Sequence, residues 1–518
     1  MSEAEYIKYY RETLGLAEDD FEKLCASTKV SLPYSFCVAK GPMHDQIVQR
    51  IEQYPFVNKI QYLDDVYEFC KVKDPSSDYQ RFVEFLVKQT TVGLIQRQEV
   101  VSMIPVMLMD LKKDSKVIDM CAAPGSKTKQ ILDAVSDGLV IANDVNAKRL
   151  NVLVSETSKK PNRSLIVTKH DASVFPKIYA DGQLEFDRVF CDVVCSSDGT
   201  IRKNPNVFDE WKVSRGAGLS ELQYRILKRG CELVKEGGLV AYSTCSLNPL
   251  ENECVVQRIL QEDEFELVDF RNDTRFCIFP AESDGKHLIV RQGLKTWKID
   301  GVSNNPKHRP CEKDLGLDKC IRLYPHDQNT GGFFIAILRR NMRVQTSHSE
   351  ESTSQHKSLH SKHCRIEFIP KEDKEKLFEQ YSIPMEGELY KRGERSLSIV
   401  SYLSNKIIME NPKLKVVSAG YRILEKSGLD RCEFYLKNLF YVGREFVEHR
   451  EIQLGSFRLL LNDVFVSNDV LGFECVGISI IKVEGTGIVL CGYGNTLSFT
   501  LFMNDGLRKA LKELVAFN

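Results

Sequence analysis

The chain has 518 residues, too many for one ordinary hydrophobic core, so two to four domains are expected. Its 42% apolar and 28% charged residues are those of a soluble globular protein. Its 71 basic and 72 acidic residues nearly cancel, so any nucleic-acid partner must be held by local basic patches and not by a global field. The apolar runs fall far short of a bilayer span and the start, MSEAEYIKYYRE, is polar, so neither a signal peptide nor a transmembrane helix is expected. Without an export signal, the 16 cysteines read as free thiols in a reducing compartment.

Residues 1–95 are expected to be mostly helical, with RFVEFLVKQT placing Phe82, Phe85 and Leu86 at helical spacing. From 96 to 344 short apolar strands alternate with amphipathic helices. The expected strands are 116–120, 139–144, 164–171, 186–192, 238–244 and 331–338, and in the helix LSELQYRILKRGCELV one face carries Leu219, Leu222, Ile226, Gly230 and Leu233. That alternation predicts an α/β fold with a parallel, doubly wound sheet. Residues 345–364 hold almost nothing apolar and read as a disordered linker. The linker carries four of the ten histidines, followed by Cys364, but spacing without a surrounding fold makes a poor metal site. Residues 365–518 read as a small, separate, mainly β domain, with FRLLLNDVFV and VGISIIKVEGTGIVLCGYG as strands.

In open α/β sheets the ligand lies beyond the carboxyl ends of the strands, where strand order reverses. KVIDMCAAPGSKTKQIL is a strand, a small-residue turn and a helix start. It lacks the glycine before Lys-[Ser/Thr] of a P-loop, where Ser126 stands, and it lacks G-x-G-x-x-G. Asp119, Asp144, Asp171 and Asp192 close successive strands. A carboxylate at the second strand end suits ribose hydroxyls, and a polar group at the third suits adenine. One such aspartate means little, because Asp favours turns. Four in register point to an adenosine-type cofactor without a polyphosphate, which S-adenosylmethionine fits.

CDVVCSSDGT (191–200) offers three readings: half a metal site, core strand, or catalytic machinery. STCSLNPLENE (243–253) closes the fifth strand, with Asn248 expected as a helix N-cap, Pro249 as the first helical residue and Glu251 completing a capping box. Cys195, Asp192 and Cys245 then share one sheet edge. Carbon 5 of a pyrimidine is a poor nucleophile, and thiolate addition at carbon 6 turns it into an enamine carbon that accepts a methyl group. A zinc site built from Cys191, Cys195 and Cys245 is disfavoured, since neighbouring strand residues face opposite ways and Asp192 faces the pocket. Cys191, Cys231 and Cys254 read as packing residues.

In order, IQRQEVVSMIP, DMCAAPGSKT, ANDV, HDAS, CDVVCSSDGTIRKN, YSTCSLNPLENE and PHDQNTGGFF resemble the NOL1/NOP2/Sun family of RNA 5-methylcytosine methyltransferases, in its eukaryotic tRNA (cytosine-5-)-methyltransferase branch. The resemblance runs from about residue 5 to 340 and is weaker over 380–518. It implies a Rossmann-like class I methyltransferase sheet, an N-terminal RNA-binding extension over 1–95 and a PUA-like C-terminal domain. It implies Cys245 as nucleophile, Cys195 as the residue that assists release, and Asp192 at both cofactor and base. Cys121, Ala122, Ala123, Pro124, Gly125, Ser126 and Lys127 would wrap the methionine end of S-adenosylmethionine, with Asp144 on the ribose and Asp171 on the adenine. Arg97, Gln98 and Glu99 match a motif entering the catalytic domain, and Arg202 and Lys203 are candidate phosphate contacts. The expected partner is tRNA, with other RNA also open, for a monomeric protein of the nucleus or nucleolus with no metal and no membrane.

Two departures stand out. Val194 replaces the family's proline, which would fix the backbone aiming Asp192 and Cys195, and Ser197 replaces the glycine of the usual S-G-D-G. Cys37 stands where an arginine is common. Val194 and Ser197 motivate a rival reading, a catalytically impaired RNA-binding pseudoenzyme. An amino-group methyltransferase is a weaker rival, because that chemistry does not require Cys245.

Overall fold

In the computed structural model the described residues are 2–342, apart from 42, 74, 161, 281–283 and 300–302, and much of 366–515. In the latter stretch 381–386, 392–395, 427–433, 437–449, 463–465, 468–470, 472–476, 485, 487, 495–497 and 502 are not described. The expected linker, 345–364, lies outside the described residues.

The centre is a mixed sheet. Strands β1 (Lys116–Asp119), β2 (Leu139–Asn143), β3 (Leu165–Thr168), β4 (Phe186–Asp192) and β5 (Val234–Thr244) are parallel and lie in the order β3-β2-β1-β4-β5. Their apolar runs are covered on both faces, as parallel strands require. Phe190 faces one core and Cys191 the other, so the pleat alternates through β4. Helices α1 (Ser126–Ala134), α2 (Ala147–Ser158) and α3 (Val213–Leu233) make the connections, and α4 (Glu253–Leu260) follows β5. Gly230 lets α3 lie close on the sheet, since a Cβ there would meet Cys191 Sγ at 2.7 Å.

The structure corrects the expectations at several points. The sheet is not wholly parallel: β7 (Phe333–Arg340) runs antiparallel to β5 and to β6 (Phe265–Leu267). Between β6 and β7 the described chain holds short strands and single helical turns, and without a crossover helix an antiparallel return is the available pairing. Residues 1–95 are largely helical, in Ser2–Thr13, Glu18–Thr28, His44–Ile51 and Ser77–Val92, but the expectation did not include their strands. These form an antiparallel sheet of Asn58–Lys59, Val66–Phe69, Tyr34–Val38 and Ile95–Arg97, in that order. FRLLLN is helical, within Leu454–Asn462, so its apolar run is a buried helix face.

The C-terminal strands do not form a separate unit. Val416–Ala419 pairs antiparallel with β3 and so extends the central sheet, and Tyr390, Val400, Ile407 and Ala419 share its core. The last sheet packs elsewhere. Phe457, Leu460, Ile481, Leu490 and Leu511 form one core with Phe36, Ile47, Phe82 and Phe85 of the N-terminal unit. Gln89 Nε2 donates to Ala510 O at 3.3 Å, and Lys88 pairs with Glu513 at 2.9 Å.

Truncating the fully buried Leu511 to alanine should cost about 2–5 kcal/mol. Amide exchange should speed up together in Ser77–Val92 and Asp505–Val515, while β1, β4 and β5 keep their protection.

Candidate active site

Strand order reverses between β1 and β4, and the turn after β1 lies at that reversal. Gly125 adopts φ +109, outside the range of L side chains, and a Cβ there would strike Leu153 at 2.8 Å. The turn is anchored from below. Ala122 N–H donates to Asn143 O at 2.7 Å, and Ala123 N–H donates to Asp144 Oδ2 at 3.3 Å. Arg149 bonds the Ala123 carbonyl and stands 3.5 Å from Asp144. Gln96 donates to Ser126 O at 2.8 Å and Gln98 to Gln130 at 2.7 Å, so the segment carrying Arg97, Gln98 and Glu99 braces the start of α1. Asn143 joins three strand ends: its amide donates to Met120 O and His170 O, and its oxygen accepts from Thr168 and His170 N–H.

The four acids have unlike surroundings. Asp119 is buried, accepts from Thr128 at 2.8 Å, and leaves Oδ1 without a well-formed hydrogen bond. Burial lifts its pKa to about 7; the Thr128 bond opposes the rise, and the Asp192 carboxylate adds to it. Asp144 is buried and also accepts from Asn146 N–H at 2.8 Å. Asp171 is exposed and caps a short turn through Ser173. Asp192 accepts from Lys127 Nζ at 2.8 Å and from the Ser243 hydroxyl at 2.7 Å. Sequence reading placed Lys127 among cofactor contacts only; the structure sets it against Asp192, nearly buried and 5.2 Å from the Phe333 ring centre.

Cys195 and Cys245, fifty residues apart, bring their sulfurs to 3.2 Å. Cys195 is buried and Cys245 half-buried. The Cys245 contact, and then burial, pushes the Cys195 thiol well above its ordinary range. Val194 is half-exposed, and hydrogen bonds hold the backbone that a proline ring would have fixed. Val193 N–H donates to Ser243 O at 3.1 Å, Gln223 Nε2 donates to Val194 O at 2.9 Å, and Ser196 N–H donates to Glu251 Oε1 at 2.8 Å.

The capping box at 248–251 does not form, because α4 starts at Glu253. Glu251 is buried and bonded instead by Ser196, Ser246 and Gln223, and burial followed by the charge of Asp198 raises its pKa. Asp198 accepts from Leu247 N–H at 2.7 Å, Trp211 Nε1 at 3.4 Å and the Tyr10 hydroxyl. Long-range partners such as these carry no local sequence signal.

Arg202 is not available to RNA. It is buried, and its guanidinium is spent on Val30 O, Thr330 O and Asn329, while Lys203 beside it is exposed. Cys37 is partly buried, and burial pushes its thiol up to about 11. Asp20, His326 and Asp327 cluster as metal ligands could, but Arg291 bonds both aspartates and already supplies their cation. Among the described residues, no helix is long and apolar enough to cross a membrane.

Residues 106–339 match the family model described as 16S rRNA methyltransferase RsmB/F. The chain is 32% identical to the tRNA (cytosine(49)-C(5))-methyltransferase of Pyrococcus abyssi over 276 residues, covering 52% of this chain and 76% of that one. The chain belongs to the RsmB/F (Sun) methyltransferase family. It is 38% identical over 307 residues to the Drosophila melanogaster tRNA (cytosine(34)-C(5))-methyltransferase, covering 52% of this chain and 40% of that protein. Its identity to the Saccharomyces cerevisiae multisite-specific tRNA:(cytosine-C(5))-methyltransferase is 33% over 418 residues, 71% of this chain and 60% of that protein. The matches thus span less than two thirds of either eukaryotic protein. The RsmB/F match begins within the helix before β1 and ends in β7, so it takes in the whole parallel core.

For Asp119, a raised carboxyl pKa means that the folded state keeps a proton the unfolded chain has lost. Its cost to stability is absent below pH 3.8, grows between there and about 7, and is constant above. Asp119→Asn should therefore match wild type in urea unfolding at pH 4. It should be the more stable at pH 8, by up to about 4 kcal/mol.

Proposed function

We propose that this protein methylates carbon 5 of cytosine in tRNA, using S-adenosylmethionine. The carrying observation is the 3.2 Å approach of two thiols beside Asp192, just beyond the strand-order reversal. The names of the fly, yeast and archaeal relatives support tRNA as the substrate.

The residues present suit the cofactor. Asp119 offers a buried carboxyl oxygen without a well-formed bond, next to the turn Cys121, Ala122, Ala123, Pro124, Gly125, Ser126 and Lys127, which would hold the methionine end. Asp144 would hold the ribose and the exposed Asp171 the adenine. When bound, S-adenosylmethionine supplies an electrophilic methyl group. Cys245 adds as a thiolate to cytosine carbon 6, and negative charge builds on the ring. Asp192 faces N3 and the amine, and Lys127, bonded to Asp192 at 2.8 Å, keeps a proton one transfer away from N3. Carbon 5 thereby becomes nucleophilic and accepts the methyl group. Once Cys245 is a thioether, its hydrogen bond and charge no longer oppose ionisation of Cys195, which leaves burial as the main opposing influence. Cys195, its own proton given up to water, then takes the carbon 5 proton; any proton held at N3 returns to Asp192, the bond from carbon 6 to Cys245 breaks as the 5,6 double bond reforms, and the Cys245 thiolate and 5-methylcytosine separate.

The flanking units, 1–95 and 365–518, would hold the RNA around the catalytic domain at 96–344, a role supported by the sequence resemblance. The same resemblance supports a nuclear, monomeric protein that works without a metal.

Incubation with labelled cofactor and bulk tRNA, followed by bisulfite sequencing, tests the reaction; tRNA binding without label in cytosine would sink it. Cys245→Ala should lose transfer entirely. Cys195→Ala should accumulate a covalent protein–RNA adduct on denaturing gels, since only the release step is removed.

A further inference from the structure

Ser197 is held in a backbone conformation that serine disfavours, φ +62 and ψ +20. Neighbouring bonds hold it there: its carbonyl accepts from Thr200 N–H at 3.0 Å and from the Thr200 hydroxyl at 2.7 Å. Glycine would adopt this conformation without a steric penalty. While protonated, the Cys245 thiol donates to the serine oxygen at 3.6 Å, and the same hydroxyl lies 3.9 Å from Cys195 Sγ; once Cys245 loses its proton, its sulfur can only accept. Among the described residues, the two sulfurs have side-chain hydrogen bonds only with each other and with this hydroxyl.

The titratable groups around the pair are mostly acidic. Glu251 and Tyr242 lie near Cys195, and Asp198 lies below the Ser197 turn. Asp192 stands at the rim with its charge met by Lys127. A sulfur that must carry negative charge in these surroundings needs a donor. The Ser197 backbone bonds Cys195, and the Ser197 hydroxyl, relieved of the Cys245 thiol proton, can turn to donate to Cys245. Strain retained at one residue is a mark of function when that residue's side chain touches the reacting group.

We propose that Ser197 is a positioning residue of the two-thiol site, its hydroxyl donating a hydrogen bond to the charged Cys245 sulfur and orienting it toward the base. This inference rests on Cys245 being the nucleophile. No covalent step is added to the reaction; the serine keeps its proton throughout. The serine therefore contributes to activity, where its replacement of glycine had looked like a mark of impairment.

The test is alkylation of Cys245 by iodoacetamide across a pH series, read by mass spectrometry of the Cys245 peptide in the full-length protein. Ser197→Gly removes the hydroxyl and relieves the backbone, so it should unfold at higher urea concentration than wild type. Its alkylation midpoint should nevertheless move up by about one pH unit, slowing the reaction at pH 7 by about tenfold. Ser197→Ala, which keeps the strain, should show the same upward shift. A purely structural serine would change the urea midpoint and leave both alkylation profiles on that of wild type, which overturns the proposal. Because this readout needs no RNA, a shifted profile with no tRNA methylation would keep Ser197 in this role and reject the proposed function.

Discussion

The two loops that carry the thiols are locked together by a buried polar network, and the site depends on it. Glu251, from the loop after β5, binds Ser196 and Ser246, while Asp198, from the loop after β4, binds Leu247 N–H. Gly199 N–H donates to Cys245 O at 2.9 Å, and Gly332 N–H donates to Gly199 O at 2.8 Å, which adds the start of β7. Two carboxyl groups with little water around them are costly unless every oxygen is met, so the network tolerates one arrangement and fixes the sulfur separation through it. The N-terminal helix closes it from outside, with Tyr10 on Asp198 and Tyr9 donating to Asn248 at 2.9 Å.

A second buried pair supports the same turn. Arg322 binds both oxygens of Glu253 at 2.6 Å and donates to Leu247 O at 2.8 Å, so the turn after Cys245 is gripped by a charge pair that solvent does not reach. The turn after Cys245 is thus bound to α4, to the β4 loop and to the N-terminal helix at once. That redundancy explains how valine can stand at 194 without loosening the site: Gln223 and Glu251 constrain the backbone from either side.

The parallel core was legible because both-face burial leaves continuous apolar runs, with an aspartate at or just past the end of the first four. Cys195, Cys245 and Asp192 were legible because strand ends gather at one edge. What failed was governed by partners distant in sequence. Asn248-Pro249 has the local form of a helix start, but Glu251 is drawn 55 residues back to Ser196, and the helix waits until Glu253. Arg202 resembles a phosphate contact because its carbonyl partners lie more than a hundred residues away on either side. The N-terminal strands are two to five residues long, too short for alternation to register. FRLLLN is a short apolar run, for which helix and strand periods cannot be told apart.

The core shared between Ser77–Val92 and Asp505–Val515 has a consequence for how the chain is made. Gln89 leaves the ribosome well before the helix that covers it, because Ala510 lies 421 residues further along the chain. At about 5–20 residues per second, that face stays uncovered for roughly 20 to 80 seconds. During that interval the unit offers an apolar surface to the rest of the nascent protein and to chaperones. Translation rate is therefore part of what decides whether the fold is reached.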